Sequence, residues 1–299
     1  MAPRLLLFGS TGRSGSILAR AARAQGWELV APTHEACPLE HRERVSEAVL
    51  HSGAELVINA AAVSGLEHCA EDPLHAHLVN AVAPAAMALA CRHTGARFIH
   101  LSTDYVLDGR RPGLKAEDAR CAPLSVYAAS KREGELQIAE ALPAALVVRV
   151  SWICGNPEKP SFIEQTLCRA LRGEPLAAIA DQYSLPTDAE DIARILLAPQ
   201  AATLSGVVQL CADGEPLSRH RCAELALREA LRCGALPSLP RVEPLELARV
   251  PFFREPRPRH TAMSHARLRA AGFCLPTAAE SIAAVVRRAL PSLTPKHIL

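Results

Sequence analysis

The sequence predicts an α/β protein, with a doubly wound parallel sheet over its first half and a smaller α/β unit after it. Three observations carry this. Up to about Trp152, short apolar runs alternate with helical patterns, the rhythm of strand, crossover helix and parallel strand. The first apolar run is followed at once by a glycine turn and a helix. Beyond Trp152 the rhythm changes, and Pro157-Glu-Lys-Pro160 breaks the chain.

Leu5-Leu-Leu-Phe8 reads as a buried strand, and Gly9-Ser-Thr-Gly12-Arg-Ser-Gly15 follows it with the spacing G-x-x-G-x-x-G. Glycines at that spacing let backbone amides and a helix N-terminus approach a pyrophosphate with no Cβ in the way. Gly9, Thr11, Gly12, Arg13, Ser14 and Gly15 are therefore candidate dinucleotide contacts. The helix runs on through Arg20 to Ala24, and Glu28 to Val30 forms the second strand. Where an NAD-preferring site puts an acid on the ribose 2′-hydroxyl, the chain has Ala31-Pro32-Thr33-His34, with Glu35 one step late. No carboxylate there repels a 2′-phosphate, so NADPH is expected ahead of NADH, with Thr33 among the contacts. Arg13 is either a partner for that phosphate or a solvated loop arginine.

Glu55 to Ala62 is the next buried strand, and its small end residues Ala60, Ala61 and Ala62 leave room for the nicotinamide-ribose half of a cofactor. Asn80, in a helical stretch, either joins helix backbone to active-site water as a cofactor-side residue or satisfies local amides. Arg97 to Leu101 is a strand whose C-terminal end delivers Ser102 and Thr103 to the rim of the sheet, where α/β proteins place ligands. Tyr127 and Lys131 stand one helical turn apart on one face. An ammonium beside the phenol would lower its pKa from about 10. An isolated Tyr-x-x-x-Lys is a common coincidence, but only four of the 33 basic residues are lysines (Lys115, Lys131, Lys159, Lys296), so a lysine at 131 reads as selected for proton chemistry. Beyond the strand ending at Val150, Trp152 either stacks on a ring over the cleft or packs in the core.

In the second half, Phe162 to Leu171 reads as an amphipathic helix and Leu176 to Ile179 as a strand of another layer. Asp188 to Leu197 is a helix expected to return to the main sheet, with Thr187-Asp-Ala-Glu190 as a capping box. Val207 to Leu210 is a strand, Ser218 to Arg232 a helix, and Ala278 to Leu290 the final helix. The proline-rich stretch from Leu236 to Pro258 is expected to be loop bordering the cleft or a subunit contact. The expected organisation is a dinucleotide-binding unit over 1–153, rejoined by 186–200, and a mainly substrate-binding unit over 154–299.

These residues together resemble the extended short-chain dehydrogenases/reductases, NAD(P)-binding proteins of Rossmann-like fold, and within them the dTDP-4-dehydrorhamnose reductase family. The matching pieces are the glycine loop, Val57 to Ala62, Ile99 to Val106 with Asp108-Gly109, Pro123-Leu-x-x-Tyr127 to Lys131, Ser151-Trp152, Asp181-Gln182 with Pro186-Thr187, and Arg257-Pro258. The resemblance implies reduction of the 4-keto group of a nucleotide-linked deoxysugar by NADPH or NADH. It implies Thr103 polarising the carbonyl, Tyr127 giving the proton and Lys131 holding the nicotinamide ribose and tuning the phenol. It places Ser64, Ser102, Thr103, Tyr105, Trp152 and Arg257 around the substrate, Arg257 pairing with the diphosphate. Nucleotide-sugar dehydratases look like Thr-Asp-Glu after the strand; Tyr105 in that place implies a reaction that stops at reduction. Val63 and His68 depart from the family pattern and keep a non-sugar ketone open as substrate. A cofactor-binding regulatory subunit, similar to the β subunit of methionine adenosyltransferase, is the alternative of another class.

Composition sets the remaining expectations. The chain is 49% hydrophobic and 21% charged with a net charge of +2, and no basic stretch interleaved with aromatics suggests nucleic acid. It enters its first strand without a signal-type leader and has no uninterrupted apolar run near about 18 residues, so a cytoplasmic protein without a membrane partner is expected. A homodimer is left open. The ten cysteines are scattered without C-x-x-C, and His75 and His77 fall on different helix faces, so free buried thiols and no metal site are expected.

Overall fold

Leu5 and Leu7 pack into one hydrophobic layer while Leu6 and Phe8 pack into another. A first strand buried on both faces must lie between two layers of helices. The computed structural model, which describes residues 2–293, has that arrangement. In chain order the first half comprises β1 (Arg4–Phe8), α1 (Arg13–Ala24), β2 (Glu28–Val30), α2 (Arg42–His51), β3 (Leu56–Asn59), α3 (Leu66–Glu71), α4 (Pro73–His77), α5 (Ala83–Thr94), β4 (Arg97–Thr103), α6 (Val126–Ala141) and β5 (Leu146–Val150). The second half adds β6 (Ile153–Cys154), α7 (Phe162–Leu171), β7 (Leu176–Ile179), β8 (Tyr183–Ser184), β9 (Thr187–Asp188), α8 (Ala189–Leu196), β10 (Gly206–Leu210), β11 (Leu217–Ser218), α9 (Arg219–Arg232), β12 (Val242–Leu245), α10 (Ala266–Ala270) and α11 (Ala278–Leu293).

Six strands form one sheet in the order β2-β1-β3-β4-β5-β10, with every pairing parallel. The chain leaves β1 to one side for β2 and returns to its other side for β3. The switch point thus lies between β1 and β3, and the crevice beyond their C-terminal ends is where such sheets bind ligands. Helices α1 and α8, with Leu268 of α10, cover one face. Helices α2, α5 and α6 cover the other. A separate core joins α7, α9 and α11 over β7, around Leu167, Ala226, Leu227, Val285 and Val286.

Several expectations are corrected here. More than residues 186–200 rejoins the main sheet: β10 pairs with β5 as its edge, and α10 packs beside it. Helix α8 is capped by Asp188, whose carboxylate accepts the Glu190 N–H at 3.1 Å. The Thr187 hydroxyl instead accepts from Ser151 N and donates to Leu210 O, tying three segments together. The stretch 236–258 is not all loop, since β12 pairs with β7 in parallel. Pro244 hides that strand in the sequence, and a two-stranded sheet tolerates it because the missing donor can face away from the partner. All ten cysteines are free, but Cys233 and Cys274 are exposed rather than buried.

One continuous helical stretch, Pro73–Thr94, is long and apolar enough by length and composition to cross a membrane, and it is largely buried in the fold. A wide turn at Leu78–Val82 links α4 to α5. There the Asn80 side chain accepts from Val63 N at 3.0 Å and donates to Val63 O at 2.9 Å and to the Ser130 hydroxyl at 3.0 Å. Gly134 of α6 rests on this turn so closely that an added Cβ would lie 2.3 Å from Asn80 O. Alanine for glycine inside a helix ordinarily stabilises by about 1 kcal/mol. Here overpacking of about 1–3 kcal/mol outweighs that gain. Gly134→Ala is therefore expected to lower the urea midpoint, and a raised midpoint would refute the close packing of α6 on the turn.

Candidate active site

Glycine at position 9 is required by geometry as well as by spacing. Its φ is 75°, and a Cβ there would lie 2.6 Å from Ala61 N on the tail of β3. A Cβ on Gly15 would lie 2.0 Å from Gly9 O. The turn therefore folds tightly against both β3 and α1. Helix α1 then begins with Gly12 as its N-cap, without a side-chain cap and without an acid in its first turn. Open amides and the positive end of a helix dipole suit a pyrophosphate, so the residues present fit a dinucleotide.

A cleft of about 500 Å³ opens in front of this turn. Gly12, Arg13 and Ser14 form one wall, Ala60, Ala61, Ala62 and Ser64 another, and Ser102, Thr103, Tyr105, Tyr127 and Lys131 the floor. Trp152, Lys159 and Arg219 close it from the second half of the chain. Thr11 and Thr33 lie outside this lining, and Thr33 spends its hydroxyl on Ala36 N within its own turn. Asn80 is also outside, its amide fully engaged with Val63 and Ser130.

Ser125 caps α6 by accepting from Ala128 N, which sets Tyr127 in the first turn and Lys131 one turn on. Both side chains line the cleft, with Lys131 bonded to β4 rather than to the phenol. Lys131 is 1% exposed, and its Nζ lies 2.9 Å from His100 Nε2 and donates to Leu101 O at 2.7 Å. Burial pushes the Tyr127 phenol above its ordinary pKa, against a lowering from its Thr103 hydrogen bond, and the nearby Asp104 carboxylate adds to the rise. The expected depression of the phenol by Lys131 is thus replaced by an elevation. Tyr105 stands edge-on to Tyr127 at 6.3 Å, and its hydroxyl accepts from Gln182 Nε2 at 3.2 Å.

Two carboxylates behind the floor hold its residues. Asp104 is 2% exposed and accepts from Ser151 at 3.0 Å, Ser184 at 3.1 Å, Thr103 at 3.3 Å, and Thr261. Burial raises its pKa and the hydroxyl donors pull it back. Glu135, also buried, takes the Ser102 hydroxyl at 2.6 Å, both Arg149 Nε and Nη2 at 2.9 and 2.8 Å, and Arg132 at 2.7 Å. Ser102 therefore borders the cleft with its hydroxyl turned to Glu135.

Arginine placement differs most from expectation. Arg257, expected on a diphosphate, pairs with Glu67 at 3.0 Å and lies 3.5 Å from the Phe253 ring centroid, outside the cleft. Arg13 donates to the carbonyls of Lys159 and Pro160 at 2.9 and 3.3 Å, so it fastens the 159–160 loop across the cleft mouth. Arg219 supplies the cationic group inside, 4.3 Å from the Trp152 ring centroid. Trp152 has a φ of 40°, and its indole Nε1 is buried with no hydrogen-bond partner among the described residues. Strain of this kind costs on the order of 1–3 kcal/mol and gathers at functional sites. Lys159 had a sequence signal in the scarcity of lysine, whereas Arg219 had none.

A family model described as RmlD substrate binding domain matches residues 3–290. The chain belongs to the dTDP-4-dehydrorhamnose reductase family. It is 32% identical over 273 residues to the dTDP-4-dehydrorhamnose reductase of Mycobacterium tuberculosis, covering 90% of this chain and 87% of that one. It is 34% identical over 238 residues to the enzyme of that name from Shigella flexneri, covering 77% and 79%. The crystal structure of dTDP-4-dehydrorhamnose reductase from Bacillus anthracis in complex with NADP superimposes with a TM-score of 0.85 at 23% identity, covering 94% of this chain and 98% of that one. That likeness establishes a fold shared with other members of the dTDP-4-dehydrorhamnose reductase family.

The Glu135–Arg149 pair yields a stability prediction. Despite burial, Arg149 holds the Glu135 carboxyl below its ordinary 4.5. A depressed pKa contributes stability above about 4.5 that is lost as pH falls through the lowered value. Arg149→Met takes away the two-bond partner and leaves the buried carboxylate only Arg132 and Ser102, and is expected to cost up to about 3–5 kcal/mol in urea unfolding at neutral pH. Adding Glu135→Gln should recover part of the loss; equal stability of Arg149→Met and the parent would contradict the pairing.

Proposed function

We propose that this protein reduces the 4-keto group of a nucleotide-linked deoxysugar, with NADPH as the reductant. The observation that carries the reading is a single cleft lined by Thr103, Tyr127 and Lys131 together with the glycine turn, in a chain aligned along 90% of its length with a dTDP-4-dehydrorhamnose reductase. NADPH supplies the hydride when bound. The α1 amides at Arg13 and Ser14 would receive the pyrophosphate, Lys159 adds positive charge at the same mouth, and Ala60 to Ala62 leave space beside it. Residues 2–153, with the elements that rejoin the main sheet, carry the cofactor; the remainder carries mainly the nucleotide-sugar. Kinship with sugar-nucleotide reductases supports action in the cytoplasm.

The floor suits reduction. A phenol held above its ordinary pKa is fully protonated at neutral pH and can give its proton to the oxygen of the forming alcohol. Thr103 sits beside it, and its one hydroxyl hydrogen, once turned from Asp104, would bond the carbonyl. Asp104 is enclosed by hydroxyl donors, and Tyr105 follows it where the dehydratase pattern has glutamate.

Absorbance-monitored NADPH oxidation with dTDP-4-keto-6-deoxyhexose generated in place tests the reading: turnover is expected, and silence despite NADPH binding would overturn it. Tyr127→Phe should lose on the order of 10²- to 10⁴-fold in rate with NADPH affinity nearly unchanged. Equal rates would remove Tyr127 as proton donor. Lys159→Ala should weaken NADPH binding on the order of tenfold, about 1.4 kcal/mol by titration. An unchanged Kd would remove Lys159 from the phosphate site.

A further inference from the structure

Arg219, the first residue of α9, belongs to two cavities at once. It closes the catalytic cleft beside Trp152, and it lines a second groove of about 430 Å³ between α7, α9 and the paired strands β7 and β12. Phe162, Ile179, Val242, Leu245, Val250 and Phe253 make that groove largely apolar. Cleft and groove therefore meet at a guanidinium.

Everything except an anion holds this side chain in place. Its Nε donates to Gln182 Oε1 at 3.3 Å. Gln182 is 1% exposed and gives its amide hydrogens to the Tyr105 hydroxyl and to Pro258 O, at 3.2 and 3.1 Å, so its oxygen is the atom left for Arg219. The guanidinium carbon lies 4.3 Å from the Trp152 ring centroid and 5.5 Å from that of Phe162. Ring faces attract a cation, but they accept none of the in-plane hydrogens on its two Nη atoms. Among the described residues, no carboxylate pairs with Arg219 and no acceptor meets either Nη. The neighbouring arginines are all engaged: Arg169 of the groove with Glu174 at 3.3 Å, Arg13 with the carbonyls of Lys159 and Pro160, and Arg257 with Glu67.

The place of these open donors selects their ligand. A carboxylate ends the molecule that carries it and would use only one of the two cavities. A diphosphate joins two groups, offers oxygens to a guanidinium fork, and can lie at the threshold with one group on either side. We propose that Arg219 binds the diphosphate of the substrate and is a specificity-determining residue for a nucleotide-carried ketone, with the sugar in the cleft and the nucleoside in the groove. This rests on the part of the reduction reading that makes the substrate a nucleotide-linked sugar. It gives to α9 the task that the resemblance implies for Arg257.

Isothermal titration of the full chain with dTDP tests the assignment without turnover. Arg219→Met keeps an unbranched side chain over Trp152 and removes the charge. It should weaken dTDP binding on the order of 10- to 100-fold, the usual worth of charge-assisted hydrogen bonds, while the NADPH Kd stays within about twofold. Arg219→Gln, which can still donate to Gln182, should behave in the same way and decides the matter if Arg219→Met fails to fold. Raised salt should weaken dTDP binding to the parent more than to either variant. Equal dTDP affinity in parent and variants, or no dTDP binding by the parent, would overturn the proposal. Loss of NADPH affinity in both variants would assign the cation to the cofactor or to the fold and overturn it as well. If no 4-keto sugar is turned over while dTDP binding still depends on Arg219, the reduction reading fails and the role of Arg219 stands.

Discussion

The buried carboxylate of Asp104 is the constraint on which the cleft depends. It follows directly on β4, lies where water cannot reach it, and must therefore collect donors from the protein. Those donors come from Ser151 after β5, Ser184 on β8, Thr261 ahead of α10, and Thr103 itself. One buried charge thus draws together the end of the main sheet and two segments of the second half. The floor of the cleft is fixed relative to its roof by the need to satisfy that group. Glu135 performs the same service one layer deeper, binding Ser102 of β4 and Arg149 of β5 to helix α6.

The fold was legible where local rules suffice. Buried parallel strands are nearly continuous apolar runs, and Leu5 to Phe8 and Val57 to Ile58 read as such. The glycine turn was legible because close backbone approach admits no other residue, and the Cβ positions at Gly9 and Gly15 bear that out. Strand β12 was not legible, because Pro244 argues against a strand unless its neighbours are known. The return of β10 to β5 joins residues about sixty positions apart, which no local pattern encodes.

The site was legible by residue type and much less so by partner. Thr103, Tyr127 and Lys131 meet on one floor as their motifs require, yet the expected contact of lysine with phenol is replaced by contact with His100. Long cationic side chains were the hardest to place. Arg257 and Arg13 lay near the right segments in sequence, but their guanidinium groups went to Glu67 and to the carbonyls of Lys159 and Pro160. Arg219 reached the cleft from α9, beside Trp152. An arginine extends several ångströms from its backbone, so its destination is set by whichever acceptor the tertiary fold brings within reach.

The polarity of the floor also bears on the direction of the chemistry. A tyrosine that must remove a proton works best with its pKa drawn down by an adjacent positive charge, whereas one that must give a proton needs only to keep it until the oxygen of the substrate becomes basic. In this protein burial and Asp104 raise the phenol, and the lysine one helical turn on is bonded to His100 and Leu101. Here the lysine's partners are His100 and the Leu101 carbonyl of β4, which the Tyr-x-x-x-Lys motif does not include.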